Sequence, residues 1–143
     1  MARKYENHKS NVADTVSDAL GELTSLGEEI REVVDGASGT ARENTQRIQT
    51  LDETASSIEN ISEPEVDEKT GKIEIEYSVL LPRGKRQPLS RSDRRDNAVG
   101  MLQSVIDLLN ENEDQENPHQ DLIDELENIV GDAEGLEFPG MFG

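Results

Sequence analysis

The chain has no cysteine and no tryptophan, and only two phenylalanines and two tyrosines among its 143 residues. Without cysteine, disulfides, thiolate chemistry and cysteine-built zinc sites are excluded. With so few aromatics and 32% hydrophobic residues, a single domain of this length buries a thin core, so helical seams or a partner must supply stability. Long apolar runs are missing too. Met1 to Lys9 is charged, no apolar stretch of signal-peptide type follows, and nothing approaches a membrane span, so a soluble intracellular protein without membrane contact is expected.

Positive charge is the other scarcity. Fourteen Lys and Arg face 32 Asp and Glu, for a net charge of −18, and residues 96–143 hold thirteen acids with no lysine or arginine. Such a segment repels itself and repels nucleic acid. Proteins of salt-loving organisms offer a second source for this balance, being acidic and richer in arginine than lysine, as here with nine against five. Six of the bases cluster in Arg83–Arg95, R-G-K-R-Q-P-L-S-R-S-D-R-R, beside a single acid.

No catalytic or metal signature survives inspection, and no cofactor is implied. His8 and His119 have no base, nucleophile or co-ligand near them in sequence. Carboxylates are so abundant that any acid and base assignment is arbitrary. Asn110, Asn112 and Asp114 have the first spacings of a calcium loop, but Gln115 stands where the turn needs glycine and Asp121 where the bidentate Glu belongs. Gly84-Lys85 lacks the rest of a phosphate loop, and Asn60-Ile61-Ser62 matches a glycosylation acceptor only by chance. These absences point away from an enzyme.

The strongest pattern lies in the first third. Val12, Val16, Ala19, Leu23, Leu26, Ile30 and Val33 recur at alternating spacings of four and three, widened by Ala13, Leu20 and Val34, while the opposite face is acidic against a lone Arg31. That seam ends near Asp35. A second series, Ala41, Asn44, Ile48, Leu51, Ala55 and Ile58, starts in a shifted frame after Gly36-Ala37-Ser38-Gly39, and Thr40-Ala41-Arg42-Glu43 reads as a capping box. The break argues for an antiparallel helical hairpin, with one long strained coiled-coil helix as the alternative.

Pro64 stops the second helix, and Val66–Lys72 turns into a strand in which Ile73, Ile75, Tyr77, Val79 and Leu81 alternate with polar residues. Glu65-Val66 or a second copy of the chain could pair with it. Ser90 to Asp93 offers an N-cap for a helix burying Ala98, Met101, Leu102, Val105, Ile106 and Leu109. Arg91, Arg94 and Arg95 then sit at a helix N-terminus, where the dipole disfavours them, which implies an acidic neighbour or a job. A last short helix from Leu122 ends at Gly131.

The fold class is therefore mainly α: a helical hairpin or coiled-coil pair, a short β-strand or hairpin, then two short helices. The expected order is a disordered stretch over 1–10, the helical pair over 11–62, the strand or hairpin over 63–82, the basic segment and two helices over 83–131, and a hydrophobic tail over 132–143.

Two contact surfaces stand out. The tail, with Leu136, Phe138, Met141 and Phe142, is either a docking peptide for a partner protein or a fold-back that fills the core. Arg83, Lys85, Arg86, Arg91, Arg94 and Arg95 are either a phosphate grip or, better, an internal counter-charge for the acidic helices, since no aromatics stand among them to stack bases.

The opening M-A-R-K-Y-E-N-H, the inner Leu89–Ala98 stretch L-S-R-S-D-R-R-D-N-A and the closing Glu137–Gly143 stretch E-F-P-G-M-F-G resemble small acidic proteins of phage and phage-like genomes. The resemblance covers three short segments and brings no catalytic residues. It implies a viral or mobile-element setting, in the host cytoplasm or on the virion. The expectation is a non-enzymatic, protein-binding homo-oligomer that self-associates through Val12, Val16, Leu23, Leu26, Ile30 and Val33 and docks a partner by its tail. The alternative is nucleic-acid-linked, as a phosphate contact or as an acidic DNA mimic.

Overall fold

The computed structural model describes residues 4–39, 45–82, 88–111 and 119–138. In chain order it contains β1 (Tyr5–Asn11), α1 (Val12–Ala37), α2 (Gln46–Glu59), the one-turn α3 (Glu68–Gly71), β2 (Glu74–Leu80), α4 (Arg91–Leu109) and α5 (Gln120–Glu134). The protein is mainly helical, as the spacing predicts.

Helix α1 begins where Asn11 accepts the Asp14 N–H at 2.8 Å through its side-chain oxygen, and it runs two residues past the expected end at Asp35. Gly39 takes φ +77°, a left-handed conformation that glycine enters without steric cost, and the chain turns there. α2 then packs antiparallel on α1, with Ile58 beside Gly27 and Asp52 beside Arg31. A Cβ at position 27 would stand 2.8 Å from Ile58 Cγ2, so glycine is what lets the two helices cross this closely. The expected capping box, Thr40–Glu43, lies outside the described residues; the cap observed is Thr45, whose hydroxyl accepts the Ile48 N–H.

Residues 5–10, expected as a disordered end, are instead β1. It pairs antiparallel with β2 from Tyr5 opposite Leu80 to Asn11 opposite Glu74, and so takes the place proposed for Glu65-Val66 or a second copy. The cause is tertiary: a polar segment becomes a strand because an alternating neighbour offers it a ladder of hydrogen bonds. The face of β2 turned to the helices carries Ile75, Tyr77 and Val79.

α4 packs against α1, α5 and β2. Leu23, Leu26, Ile30, Leu51, Leu102, Ile106, Ile123 and Leu126 are almost completely buried among these elements. The seam expected at a self-interface is thereby internal. Val12, Val16, Leu23, Leu26 and Ile30 are sealed by the chain's own helices and Val33 is half-buried, so this stripe offers a second copy no open apolar face. α5 continues past Gly131 to Glu134, and the chain then turns back over the core. No helix among the described residues is long and apolar enough to cross a membrane.

Candidate functional site

Four arginines of the described residues lie on α1 and α4, and three of them join helices. Arg31 of α1 reaches Asp52 at 2.6 Å and Glu59 at 2.8 Å, and also bonds Ser56 at 3.3 Å; these three acceptors share one face of α2. Hydrogen bonds donated to Glu59, then to Asp52, raise the Arg31 pKa above its ordinary value, and Arg31 in turn holds the Glu59 carboxyl below its own.

Arg94 of α4 lies between Glu22 and Glu29, seven residues apart on α1. It bonds Glu22 closely and Glu29 at 2.6 Å. Burial lowers its pKa, but the hydrogen bonds to Glu22 and Glu29 outweigh burial and the net direction is upward.

Arg95 turns the other way. Its Nε bonds Asp96 at 2.6 Å, and Nη1 donates to the carbonyls of Ala133 at 3.3 Å, Glu134 at 3.4 Å and Leu136 at 3.2 Å, at and just past the end of α5. Its guanidinium also lies 5.7 Å from the centre of the Phe138 ring. The N-terminal arginines of α4 thus do have acidic neighbours and a structural role: one binds a carboxylate pair, the other caps a neighbouring helix. Arg91 is half-buried and makes no ion pair among the described residues. Arg83, Lys85 and Arg86 lie outside the described residues.

The tail resolves in part. Leu136 and Phe138 are each 7% exposed and belong to the core, and Thr54 Oγ1 of α2 donates to the Glu137 carbonyl at 2.7 Å. The docking role expected for these two side chains gives way to the fold-back, because a thin core has few large side chains to fill it. Met141 and Phe142 lie outside the described residues.

The acids left over define the surface. On α5, Asp121, Asp124, Glu125, Glu127, Asp132 and Glu134 are all exposed, and none pairs with a lysine or arginine among the described residues. On α1, Asp18, Glu28, Glu32 and Asp35 are likewise exposed. The acidic face of α1 is still less solvated than its sequence suggests, since Glu22 and Glu29 are bridged by Arg94.

Two polar constellations were not evident from sequence. Asp67, the N-cap of α3, accepts both the N–H of Thr70 at 2.8 Å and its hydroxyl at 2.9 Å, and these bonds, the backbone one first, hold the Asp67 carboxyl below its usual range. The Thr70 oxygen lies 3.4 Å from His119 Nδ1. With the hydroxyl proton directed at Asp67, this is a cap rather than an activated nucleophile. Asn97 of α4 grips the edge of β2, accepting the Leu80 N–H at 2.8 Å and donating to the Leu80 carbonyl at 3.1 Å. His8 stacks on Tyr77 across the ribbon at 5.5 Å. No cluster of three or more metal-ligating side chains occurs among the described residues.

A cavity of about 350 Å³ lies between α1 and the segment following α2, with Ser17, Thr24, Glu28 and Glu63 at its walls and Leu20 and Ile58 at its floor. Its lining brings together two carboxylates and the hydroxyls of Ser17, Thr24 and Ser25, with no histidine, lysine or arginine. No protein-family model, curated protein or solved structure matches the chain.

Proposed function

We propose that the protein is a non-enzymatic binder that presents an acidic helical face, centred on α5, to a basic surface of a partner protein. The carrying observation is that the six exposed acids of α5 meet no lysine or arginine among the described residues, while Arg31, Arg94 and Arg95 are all engaged at helix junctions. A fold with few cations, whose arginines Arg31, Arg94 and Arg95 are bound at helix junctions, leaves the outer carboxylates of α5 uncompensated, and a basic partner relieves that repulsion. The same engagement of Arg94 and Arg95 weighs against a phosphate grip and for the inhibitor or DNA-mimic form of acidic binding. The resemblance to phage proteins supplies a setting in which such binders act on host components.

The test is a titration against basic proteins of the host, at low and high salt, using the wild type and a variant with Asp124→Asn, Glu125→Gln, Glu127→Gln and Asp132→Asn. Binding that is salt-sensitive and lost in the neutralised variant supports the proposal. Equal binding by both chains removes the face from it. Binding of duplex DNA itself at low salt would replace it with the phosphate contact, and a chain that folds only in concentrated salt and binds nothing would assign the acids to a high-salt habitat.

A further inference from the structure

Among the described residues the outer edge of β1 is open, and its pattern is complementary to itself. In the β1–β2 ladder the even-numbered β1 residues carry the interstrand bonds, in phase with Leu81 N–H to Lys4 O at 2.8 Å and Val12 N–H to Ile73 O at 3.0 Å. The backbone groups of Tyr5, Asn7 and Lys9 therefore point away from β2. On β2 the outward groups of Leu80 are closed by Asn97. Among the described residues no side chain closes the outward groups of Tyr5, Asn7 or Lys9 in this way.

We infer that β1 is the contact through which two copies of this chain associate, by antiparallel pairing of one β1 with another about a twofold axis at Asn7. Only odd-numbered residues can bond across this edge; Asn11 is the N-cap of α1 and its carbonyl already accepts the Thr15 hydroxyl at 2.7 Å, and the register centred on Asn7 uses the other three, matching Tyr5 with Lys9, Asn7 with Asn7 and Lys9 with Tyr5. On the other face the same register sets Glu6 opposite His8 twice, joining groups that already attract within one chain, where His8 Nε2 lies 3.1 Å from Glu6 Oε1.

Two further observations favour a second copy. Tyr5 is 65% exposed and is the one exposed large hydrophobic side chain among the described residues; the register lays the lysine stem of the second copy against it. Residues 4–11 also carry two lysines and one glutamate in a chain of net charge −18, so two such chains repel each other less along this edge than through their acidic helices. Uncovered strand edges of this kind recruit another strand unless something blocks them.

The test is light scattering after size exclusion on the full chain over a concentration series. The expected species is twice the 15.8 kDa of one chain, and it strengthens as salt screens the acidic bodies, the opposite of the salt response of binding through the acidic face. Asn7→Pro removes an outward N–H without touching the ladder to β2 and is expected to weaken the dimer at least about tenfold. Asn7→Ala keeps that N–H and should retain the dimer. A monomer at all concentrations, or a dimer indifferent to Asn7→Pro, would overturn the inference. If the proline variant unfolds, amide exchange on the wild type decides: protection of Tyr5, Asn7 and Lys9 that grows with concentration is required, and its absence refutes the pairing.

Discussion

On α1, Glu22 and Glu29 lie against Arg94 of α4, and Arg31 reaches across to Asp52 and Glu59 of α2. On α5, six acids stand in solvent with no such partner among the described residues. Both helices bury one apolar stripe equally well, Leu26 on the first and Leu126 on the second being fully enclosed. The difference shows where a chain short of cations uses them. Arg31, Arg94 and Arg95 occupy the junctions between helices, where a partly desolvated carboxylate would otherwise repel its neighbours, and the outer face of α5 receives none among the described residues.

The comparison breaks most severely if the two helices do not share one core. Leu26→Ala and Leu126→Ala should each cost about 2–5 kcal/mol, as enclosed leucines do, with a single cooperative transition in chemical denaturation. Two separate transitions would mean that α5 docks as an independent unit. Next comes Gly27→Ala, which forces a Cβ to within 2.8 Å of Ile58 Cγ2 and should cost about 1–3 kcal/mol by overpacking. A neutral result would show that α2 can slide on α1.

Arg94→Met sharpens the electrostatic half. It leaves Glu22 and Glu29 facing each other without their counter-ion and should cost about 1–2 kcal/mol, since both carboxylates keep some solvent contact. The loss should persist in salt that masks purely surface effects. Acid tests the Arg31 junction. The Glu59 carboxyl is held below its ordinary value of 4.5 by Arg31, so its stabilisation is complete above that pH and disappears as pH falls through the lower folded value. Glu59→Gln should therefore be less stable than wild type at neutral pH and converge with it in strong acid, as followed by thermal melts. The smallest effect belongs to α5: Asn128→Lys places a cation four residues from both Asp124 and Asp132 and should stabilise by about 0.2–0.5 kcal/mol per pair, while weakening capture of basic proteins.

Much of the fold was legible because periodicity and punctuation agreed. The four-and-three spacing of Val12 to Ile30, the glycines before the second helix, the alternation of Ile73 to Leu81 and the Ser90 cap each describe local geometry. β1 was not legible, since Y-E-N-H-K-S-N has no alternation and becomes a strand only beside β2. The positions of Arg94 and Arg95 showed that they needed partners, but not which ones, because Glu22 and Glu29 lie more than sixty residues away and the α5 carbonyls carry no side-chain signature. Leu136 and Phe138 fitted core and docking equally, and what separates the two is the hydrogen bond from Thr54. Gly27 could have been noticed, as a glycine inside a strong helical stripe usually marks a close approach.

The Thr54–Glu137 bond spans 83 residues, and the β1–β2 ladder joins Tyr5 to Leu80. During synthesis at about 5–20 residues per second, α2 waits roughly 4–17 s for the carbonyl that closes it, and β1 leaves the ribosome long before its strand partner exists. Until β2 has emerged, both edges of β1 are bare. Neighbouring nascent chains on one message would present the same bare strand to each other, so the first encounter between two copies can precede the completion of either.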